Sequence, residues 1–295
     1  MVAATKQQTF LAEHRPMPAT EYHAHPAHGS SMLETFRESR RLFHATYVAK
    51  TMPVRVASPA MEFGTMVHTL LFEPSKFAET VADPFPEVAP DGKKWLRREG
   101  SAHAQWWAEE VEKRAGKICC DQETLDRVAN VVLAIKQNQY AAKALAQDGK
   151  TEYSVFWRDK ETGLECKCRF DFFAAVTLDL KTTADADPRA YVRTIQRFGY
   201  HRKWAHYKAG LNAINGRQTP FVHIAAESDG FFRVGCFELD DRDKNGFALG
   251  VAQRRRTLYE LAECYESDDW REPWEKEIVK LELPASAFYE DQFNC

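Results

Sequence analysis

The hydrophobic periodicity of this chain changes after Gly149, and the change limits the folds that the chain can adopt. Upstream, apolar residues recur at the spacing of amphipathic helices. Downstream, Tyr153, Val155 and Trp157 occupy alternate positions, which is the two-residue repeat of a strand. Later stretches return to the helical spacing. This order predicts an α/β domain in which a mixed central sheet is flanked by helices.

Turn and capping residues place the predicted elements along the chain. Asp187 followed by Pro188 is typical of a helix start, because aspartate caps the first turn and proline fits its first position. We expect Gly199 to interrupt that helix. Predicted helices begin near residue 31 and cover 61–71, most of 102–145 outside a break at 116–121, 188–198, 200–212 and 243–265. Predicted strands cover residues 152–158, 164–172, 176–181, 221–226 and 231–239.

The length of 295 residues is enough to bury one substantial core. Residues 1–20 carry no periodic apolar pattern, and we expect them to form a flexible N-terminal arm. The remaining residues, 21–295, are expected to form one domain. Within it, a helical part spans 21–148 and a sheet-containing core spans 149–295.

The charge balance argues against a protein that binds nucleic acid by bulk attraction. The chain has 40 Lys and Arg against 43 Asp and Glu, a formal net charge of −3. A site for DNA would have to be a local basic patch, and basic residues cluster in three places, around Trp95, between Arg193 and Lys203, and at positions 254–256. Each such cluster is more often a solvated helix face than a phosphate-binding surface.

Apolar runs and cysteines indicate the compartment. No run of 18 apolar residues is present, so no membrane span is predicted and a cytoplasmic protein is expected. Seven cysteines, an odd number spread over a long chain, do not resemble a disulfide framework. This fits a reducing compartment.

A group of charged residues on consecutive predicted strands suggests metal-assisted phosphodiester hydrolysis. Asp179 and Lys181 point to one face of a strand, because side chains at i and i+2 share a face. Asp171 ends the preceding strand, and Glu152 lies on the strand before that. Carboxylates hold Mg²⁺, and a neighbouring ammonium can orient the attacking water. A charged pair on the exposed face of an edge strand is the alternative for Asp179 and Lys181.

Short stretches in six regions of the chain resemble the nuclease domain of the exodeoxyribonuclease VIII (RecE) family and its phage and prophage relatives. The resemblance covers most of the chain, from about Tyr22 to Tyr289, and is specific only when the stretches are taken together. They are YHA with SML at 22–33, FGTMVH with LFEP at 63–74, EYSVFW at 152–157, ETGL at 161–164, CKCRFD at 166–171 and LDLKTTA at 178–184.

The resemblance implies a restriction-endonuclease-like PD-(D/E)XK core and digestion of linear duplex DNA from its ends. Lys181 takes the position of the catalytic lysine. The remaining active-site positions, with roles as metal ligands, are Asp171, Asp179, Glu152 and His68. His68 alone would more often be an ordinary hydrogen-bonded histidine, and its role depends on the resemblance.

The cofactor and partners are likewise implied by the family. Mg²⁺ is the expected metal, with Mn²⁺ as a substitute. The expected partners are double-stranded DNA ends and a phage-type single-strand annealing protein, with the chain itself forming a ring-shaped homotetramer. Digestion from 5′ to 3′ would leave 3′ overhangs for recombination.

The expected DNA contacts include one departure from the family. Relatives carry Gln-x-x-x-Tyr on a helix after the catalytic lysine, whereas this chain has Lys203 and Tyr207. A spacing of four puts both on one helix face, where the lysine can donate hydrogen bonds but not accept them. Arg169, Arg197 and Arg202 complete the expected DNA-binding set.

Two other functions and one other site remain as alternatives. The substitution at Lys203 would suit a DNA-end-binding protein that has lost turnover, and an endonuclease of the same superfamily is a third hypothesis. Cys166 and Cys168, with Cys119 and Cys120, are not spaced as Cys-x-x-Cys ligand pairs. Both Cys166 and Cys168 are expected to point into the core as small apolar side chains.

Overall fold

A six-stranded sheet, with strands in chain order, forms the centre of the molecule. The structure is a computed structural model and describes residues 12–53, 57–96, 100–216, 219–239 and 246–283. Neighbouring strands are antiparallel except for the parallel pair β4 and β5. The strands are β1 (Ala12–His14), β2 (Lys150–Arg158), β3 (Glu165–Phe173), β4 (Thr177–Thr183), β5 (Phe221–Glu227) and β6 (Val234–Phe237).

Helices cover both faces of this sheet. They are α1 (Ala19–Ala24), α2 (Ser30–Glu38), α3 (Arg40–Phe43), α4 (Pro59–Phe72), α5 (Phe77–Thr80), α6 (Ala104–Lys113), α7 (Gln122–Gln137), α8 (Gln139–Leu145), α9 (Pro188–Phe198), α10 (Tyr200–Asn215) and α11 (Phe247–Ser267). A π-helical turn at His44–Val48 follows α3, and short 3₁₀ turns lie at Pro74–Lys76 and Pro273–Glu275. The predicted mixed sheet flanked by helices is confirmed.

Two apolar cores lie on the two faces of the sheet. One includes Trp157, Phe170, Trp204, Leu211 and Leu258, between the sheet and α2, α10 and α11. The other packs α4 and α7 on the opposite face and includes Val67, Val131, Ile135, Leu178 and Ile224. Each large apolar side chain that becomes fully buried contributes roughly 1.5–3 kcal/mol, so both faces hold the central strands firmly.

Strand β4 lies inside the sheet, between β3 and β5. Leu178 and Leu180 pack into the core formed with α4 and α7, as the strand pattern predicts. Asp179, on the other face, is 0% exposed. The alternative of a charged pair on an exposed edge strand is therefore wrong, because helices cover both faces of an interior strand.

The starts and breaks of several helices follow from local chemistry. The Asp187 side chain accepts a hydrogen bond from the backbone N–H of Arg189, with Pro188 as the first residue of α9. Gly199 has φ of 67°, a left-handed conformation that glycine adopts without a steric cost, and it separates α9 from α10. Helix α4 begins at Pro59, two residues before the predicted start, because Ser58 caps it.

Part of the expected N-terminal arm is ordered structure. Residues 12–14 form strand β1, which pairs with β2 through Ala12↔Trp157, Glu13↔Phe156 and His14↔Val155. The arm prediction fails here because edge pairing satisfies backbone groups of β2 and requires no apolar periodicity in the added strand. Residues 1–11 lie outside the described part.

The described residues include no helix that is both long enough and apolar enough to cross a membrane. The predicted long C-terminal helix is present as α11, although its expected first residues, 243–245, lie outside the described residues.

Candidate active site

Strands β3 and β4 separate soon after their turn, and the candidate site lies where they part. Their ladder contains the pair Phe172↔Leu178. Beyond this pair, a side chain of β3 bonds the backbone of β4. The N–H of Leu180 donates a hydrogen bond to Oδ2 of Asp171 at 2.7 Å. Leu180 directly follows Asp179. The expectation that the turn brings Asp171 and Asp179 to one place therefore agrees with the geometry.

Three side chains converge on this opening from two strands and a helix. Nε2 of His68, on α4, lies 3.0 Å from Oε1 of Glu152 and 3.6 Å from Oδ1 of Asp171. One potential ligand atom from each of the three lies within 4.8 Å of the others, and no further group of this kind is found among the described residues. Residues from three separate regions of the chain thus offer a common set of N and O atoms.

Glycine allows helix α4 to approach the sheet here. A Cβ at Gly64 would lie 3.3 Å from Oγ1 of Thr182 on β4, closer than most real contacts. His68 follows Gly64 by four residues and so lies on the same helix face. The close approach at Gly64 therefore directs His68 towards the strands that carry the two carboxylates.

Glu152 has a backbone conformation that is unusual for a strand residue. Its φ is 53°, in the left-handed region, which costs roughly 1–3 kcal/mol for a residue other than glycine. Its carboxylate contacts both His68 and the guanidinium of Arg169. The Arg169 side chain also donates to the carbonyl of Met17 at 3.1 Å. These contacts hold Glu152 towards His68 at the expense of local backbone strain.

The electrostatics of this group fit a bound cation. Burial alone would lower the pKa of His68, but the hydrogen bonds and charges of Asp171 and Glu152 raise it to about 10. Burial alone would raise the pKa of Glu152, but His68 and Arg169 lower it. A proton on His68 thus balances the carboxylates. The two carboxylates suit Mg²⁺ or Mn²⁺, whereas an imidazole is more typical of transition metals, and a metal bound through His68 would release that proton.

Asp179 lies beside this group and contacts two lysines. Its carboxylate pairs with Lys181, and its Oδ1 lies 2.9 Å from Nζ of Lys203 on α10. Burial favours the neutral acid, yet Lys181 and then Lys203 hold the pKa of Asp179 well below its usual range. Burial lowers the pKa of Lys181, and the charge of Lys203 adds to that shift. A lysine with a lowered pKa is suited to proton transfer.

His223 belongs to the same group, and the sequence patterns did not identify it. Parallel pairing sets His223 of β5 opposite Asp179. Its Nε2 lies 3.4 Å from Oδ2 of Asp179, and its Nδ1 lies 2.9 Å from the hydroxyl of Tyr191 on α9. Burial lowers the pKa of His223 to about 3, so the ring is neutral near pH 7. A histidine within the apolar run of β5 is the one signal in the sequence, and it does not reveal the strand register.

The expected DNA contacts are dispersed. Tyr207 is 7% exposed and packs on Phe221, with Nζ of Lys203 4.9 Å from its ring centroid. Arg202 donates from Nε to Glu34 at 2.7 Å, and Arg169 is held by Glu152. Arg197 is exposed on α9. Among the expected DNA contacts, Lys203 therefore lies at the Asp179 carboxylate of the candidate site, and Arg197 is exposed to solvent.

The cysteines are placed as the strand pattern predicts. Cys166 and Cys168 are fully buried among apolar side chains. Burial raises the pKa of Cys166 to about 12, which disfavours the thiolate that a metal or cluster would need. Cys119 is exposed. The described residues therefore give no support to a cluster built on these thiols.

Comparisons with known proteins agree with the fold. No curated protein sequence matches this chain. Among solved structures, the chain is similar to a protein of Eubacterium rectale that is named as a candidate exonuclease. The TM-score is 0.58 and the identity 12%, over 93% of this chain and 98% of that one. A family model described as "PDDEXK-like domain of unknown function (DUF3799)" matches residues 29–276. The chain therefore belongs to this PDDEXK-like family and has the PD-(D/E)XK fold.

Proposed function

We propose that this protein is a divalent-metal-dependent exonuclease that degrades linear double-stranded DNA from its ends. The observation that carries the proposal is the convergence of His68, Glu152 and Asp171 next to the Asp179–Lys181 pair. The PD-(D/E)XK fold supports nuclease chemistry, and members of this superfamily generally depend on divalent metals. The preference for DNA ends follows from the resemblance to the exodeoxyribonuclease VIII family.

His68, Glu152 and Asp171 would hold the metal. Asp179 could become a further ligand if one of its two ion pairs with lysine opened. A bound Mg²⁺, or Mn²⁺ in its place, would offset the charge developing on the scissile phosphate and make its bound water more acidic. The chain's own residues do the rest. The contact with Asp179 positions Lys181, which orients or deprotonates the attacking water. The lowered pKa of Lys181 suits that task.

Lys203 supplies a fixed positive charge at the same carboxylate. Contact with Asp179 raises its pKa well above the usual value against the opposing effect of burial, so the ammonium stays protonated. It therefore contributes charge rather than proton transfer. Because this lysine stands where the exodeoxyribonuclease VIII family has a glutamine, we propose that it keeps Asp179 ionised and competes with a cation for that carboxylate.

The finer features of the function are also proposals. By resemblance, digestion runs from 5′ to 3′ and leaves 3′ overhangs for phage-type recombination. A ring-shaped homotetramer and a single-strand annealing protein are the proposed assembly and partner. These features rest on the resemblance to the exodeoxyribonuclease VIII family alone, and each can be tested separately.

A second candidate function follows from the contact between Lys203 and Asp179. If this ion pair cannot open, Asp179 is unavailable to a metal, and the protein would bind DNA ends without cutting them. Cleavage in the presence of metal separates the two functions.

The test uses end-labelled linear duplex and covalently closed circular DNA, each with Mg²⁺ and with EDTA. We expect loss of the linear substrate from its ends in Mg²⁺, and no cleavage in EDTA or by Asp171→Asn. Cutting of the closed circle would indicate an endonuclease. Binding of linear DNA without cleavage, in either Mg²⁺ or Mn²⁺, would favour the second candidate.

A further inference from the structure

A groove of about 1030 Å³ extends from the active site, and the mechanism above does not use it. One wall is a stripe of α4 that includes Phe63 and Met66, and the facing wall is a stripe of α9. The last two residues of β4, Thr182 and Thr183, and the two that follow them, Ala184 and Asp185, also line the groove. The groove reaches the proposed catalytic lysine through Tyr200, which lines it and whose ring centroid lies 5.6 Å from Nζ of Lys181.

The α9 wall presents two guanidinium groups to this groove. Arg193 and Arg197 are one helical turn apart, both are exposed, and Thr194 lies between them on the same wall. Neither forms an ion pair with a carboxylate in the part of the chain that the structure describes. Of the three acids that line the groove, Asp185 pairs with Arg233 at 3.0 Å and Asp121 caps α7, while Glu62 of α4 forms no ion pair with a described residue.

Aromatic rings link these arginines to the catalytic lysine. The guanidinium of Arg197 lies 5.3 Å from the ring of Phe198, which is 54% exposed at the groove. Phe198 stacks with Tyr200, with 5.8 Å between ring centroids. Nζ of Lys181 lies 5.6 Å from the Tyr200 ring centroid. Phe198 thus packs against Arg197 and Tyr200 and still leaves about half of its surface exposed.

We propose that this groove binds a single-stranded segment of DNA at the active site. Arginines that bind phosphates and aromatic rings that stack on bases are the two components of single-strand binding surfaces. Here Arg193 and Arg197 bind the backbone, and Phe198, supported by Tyr200, stacks on a base next to the scissile phosphate. The inference rests on the proposed nuclease function and specifies that the strand enters the site unpaired.

Binding in EDTA tests the groove separately from catalysis. The probe is a fluorescein-labelled oligothymidine measured by fluorescence anisotropy, and a covalently closed circular duplex serves as the unlabelled competitor. Phe198→Ala should weaken oligothymidine binding roughly 5- to 150-fold, the contribution of one stacked base. Phe198→Tyr, which keeps a ring, should bind like the wild type. Affinity for the closed duplex, which has no end to enter the groove, should not change.

The contribution of Arg193 and Arg197 should be measurable in how oligothymidine affinity depends on salt concentration. For the variant Arg193→Gln/Arg197→Gln, the log–log salt slope for oligothymidine should fall by about 1.4, the value for two phosphates on a single strand. Matched controls lie outside the groove. Tyr140→Ala removes a ring that is 67% exposed on α8, and Lys136→Gln/Lys143→Gln removes two charges from α7 and α8.

Two results would overturn the inference. One is that the groove variants bind oligothymidine no more weakly than the controls, and the other is that they lose equal affinity for the closed duplex. Cleavage of linear duplex in Mg²⁺ is scored separately. A wild-type protein that binds oligothymidine through the groove but never cleaves would contradict the proposed function and leave the groove assignment intact.

Discussion

Nζ of Lys203 lies 2.9 Å from Oδ1 of Asp179, and Lys181 contacts the other oxygen, Oδ2, of the same carboxylate. Two ammonium groups therefore share one fully buried acid. Burial, with the charge of Lys203, lowers the pKa of Lys181, whereas contact with Asp179 raises the pKa of Lys203 against the effect of burial. Lys203 is therefore an internal competitor for any cation that approaches Asp179.

We predict that Lys203→Gln raises the single-turnover rate constant for DNA cleavage. Removing the ammonium frees Asp179 to bind metal, and the amide restores an acceptor as well as donors. The half-saturating Mg²⁺ concentration should fall, and the pH limb set by Lys181 should move to higher pH because a nearby positive charge is gone. The control is Arg189→Gln on α9, which removes a positive charge from an exposed position. Lys208 is unsuitable as a control position because it is buried. A lower rate in Lys203→Gln would show that the lysine assists catalysis.

Asp179→Asn should abolish cleavage and also destabilise the fold. The substitution leaves two ammonium groups without their carboxylate, and breaking a buried ion pair costs about 3–5 kcal/mol. Because Lys181 and Lys203 keep some solvent access, at 14% and 23% exposure, we expect the lower end of that range. The measurement is the free energy of unfolding in urea with EDTA. Adding Lys203→Gln to Asp179→Asn should recover part of the loss, and a double variant no more stable than Asp179→Asn would contradict the shared ion pair.

His223 is predicted to act as a positioning residue for Asp179. His223→Leu should reduce the cleavage rate constant about a hundredfold, the scale of a misplacement by about an ångström. His223→Gln, which retains a donor, should recover most of the rate, and DNA affinity should be unchanged in both. Tyr191→Phe should have a smaller effect, because Tyr191 bonds only the far nitrogen of the ring. Equal losses in the leucine and glutamine variants would point to packing alone.

His206 should make the protein sensitive to acid. Its Nε2 donates to the carbonyl of Lys167 at 3.0 Å and its Nδ1 accepts from Arg254, so the buried ring must remain neutral. Burial, with the charge of Arg254, lowers its pKa to about 3. The unfolded chain therefore binds a proton that the folded one does not, and stability is lost as pH falls from about 6.5 towards 3.

The slope from this one histidine approaches about 1.4 kcal/mol per pH unit within that window. We expect His206→Gln to lower stability near neutral pH and to show a shallower decline in acid than the wild type. Urea unfolding at several pH values below 6.5 measures both quantities. Parallel curves for the two proteins would show that His206 does not titrate as described. His223, which has the same depressed pKa, leaves part of the slope in both proteins.

The elements that the sequence predicted well are those specified by local chemistry. The cap at Asp187, the left-handed Gly199 and the alternation in β2 all act within a few residues, so spacing reveals them. Strand β1 was missed because it pairs with β2, about 140 residues away in the chain, and three residues are too few to show a strand repeat of their own.

In the candidate site, too, the sequence reveals neighbours along the chain more readily than contacts between distant segments. Asp171, Asp179 and Lys181 lie on consecutive strands and could be grouped from the sequence. His68 came only from resemblance, because one histidine on a helix carries no signal of its own. His223 was missed because its role depends on the parallel register between β4 and β5. Likewise, the sequence could not show that Glu34, 168 residues away, pairs with Arg202.

The most direct test of the account is metal binding and cleavage measured on the same proteins. Mn²⁺ titrations followed by electron paramagnetic resonance would be run on the wild type, His68→Asn, Glu152→Gln and Asp171→Asn, with Glu165→Gln, elsewhere on β3, as the control. We predict that the wild type and the control bind Mn²⁺ and cleave linear duplex, while Asp171→Asn does neither and the other two bind Mn²⁺ more weakly. An Asp171→Asn protein that binds Mn²⁺ and cleaves DNA like the wild type would contradict the proposed site.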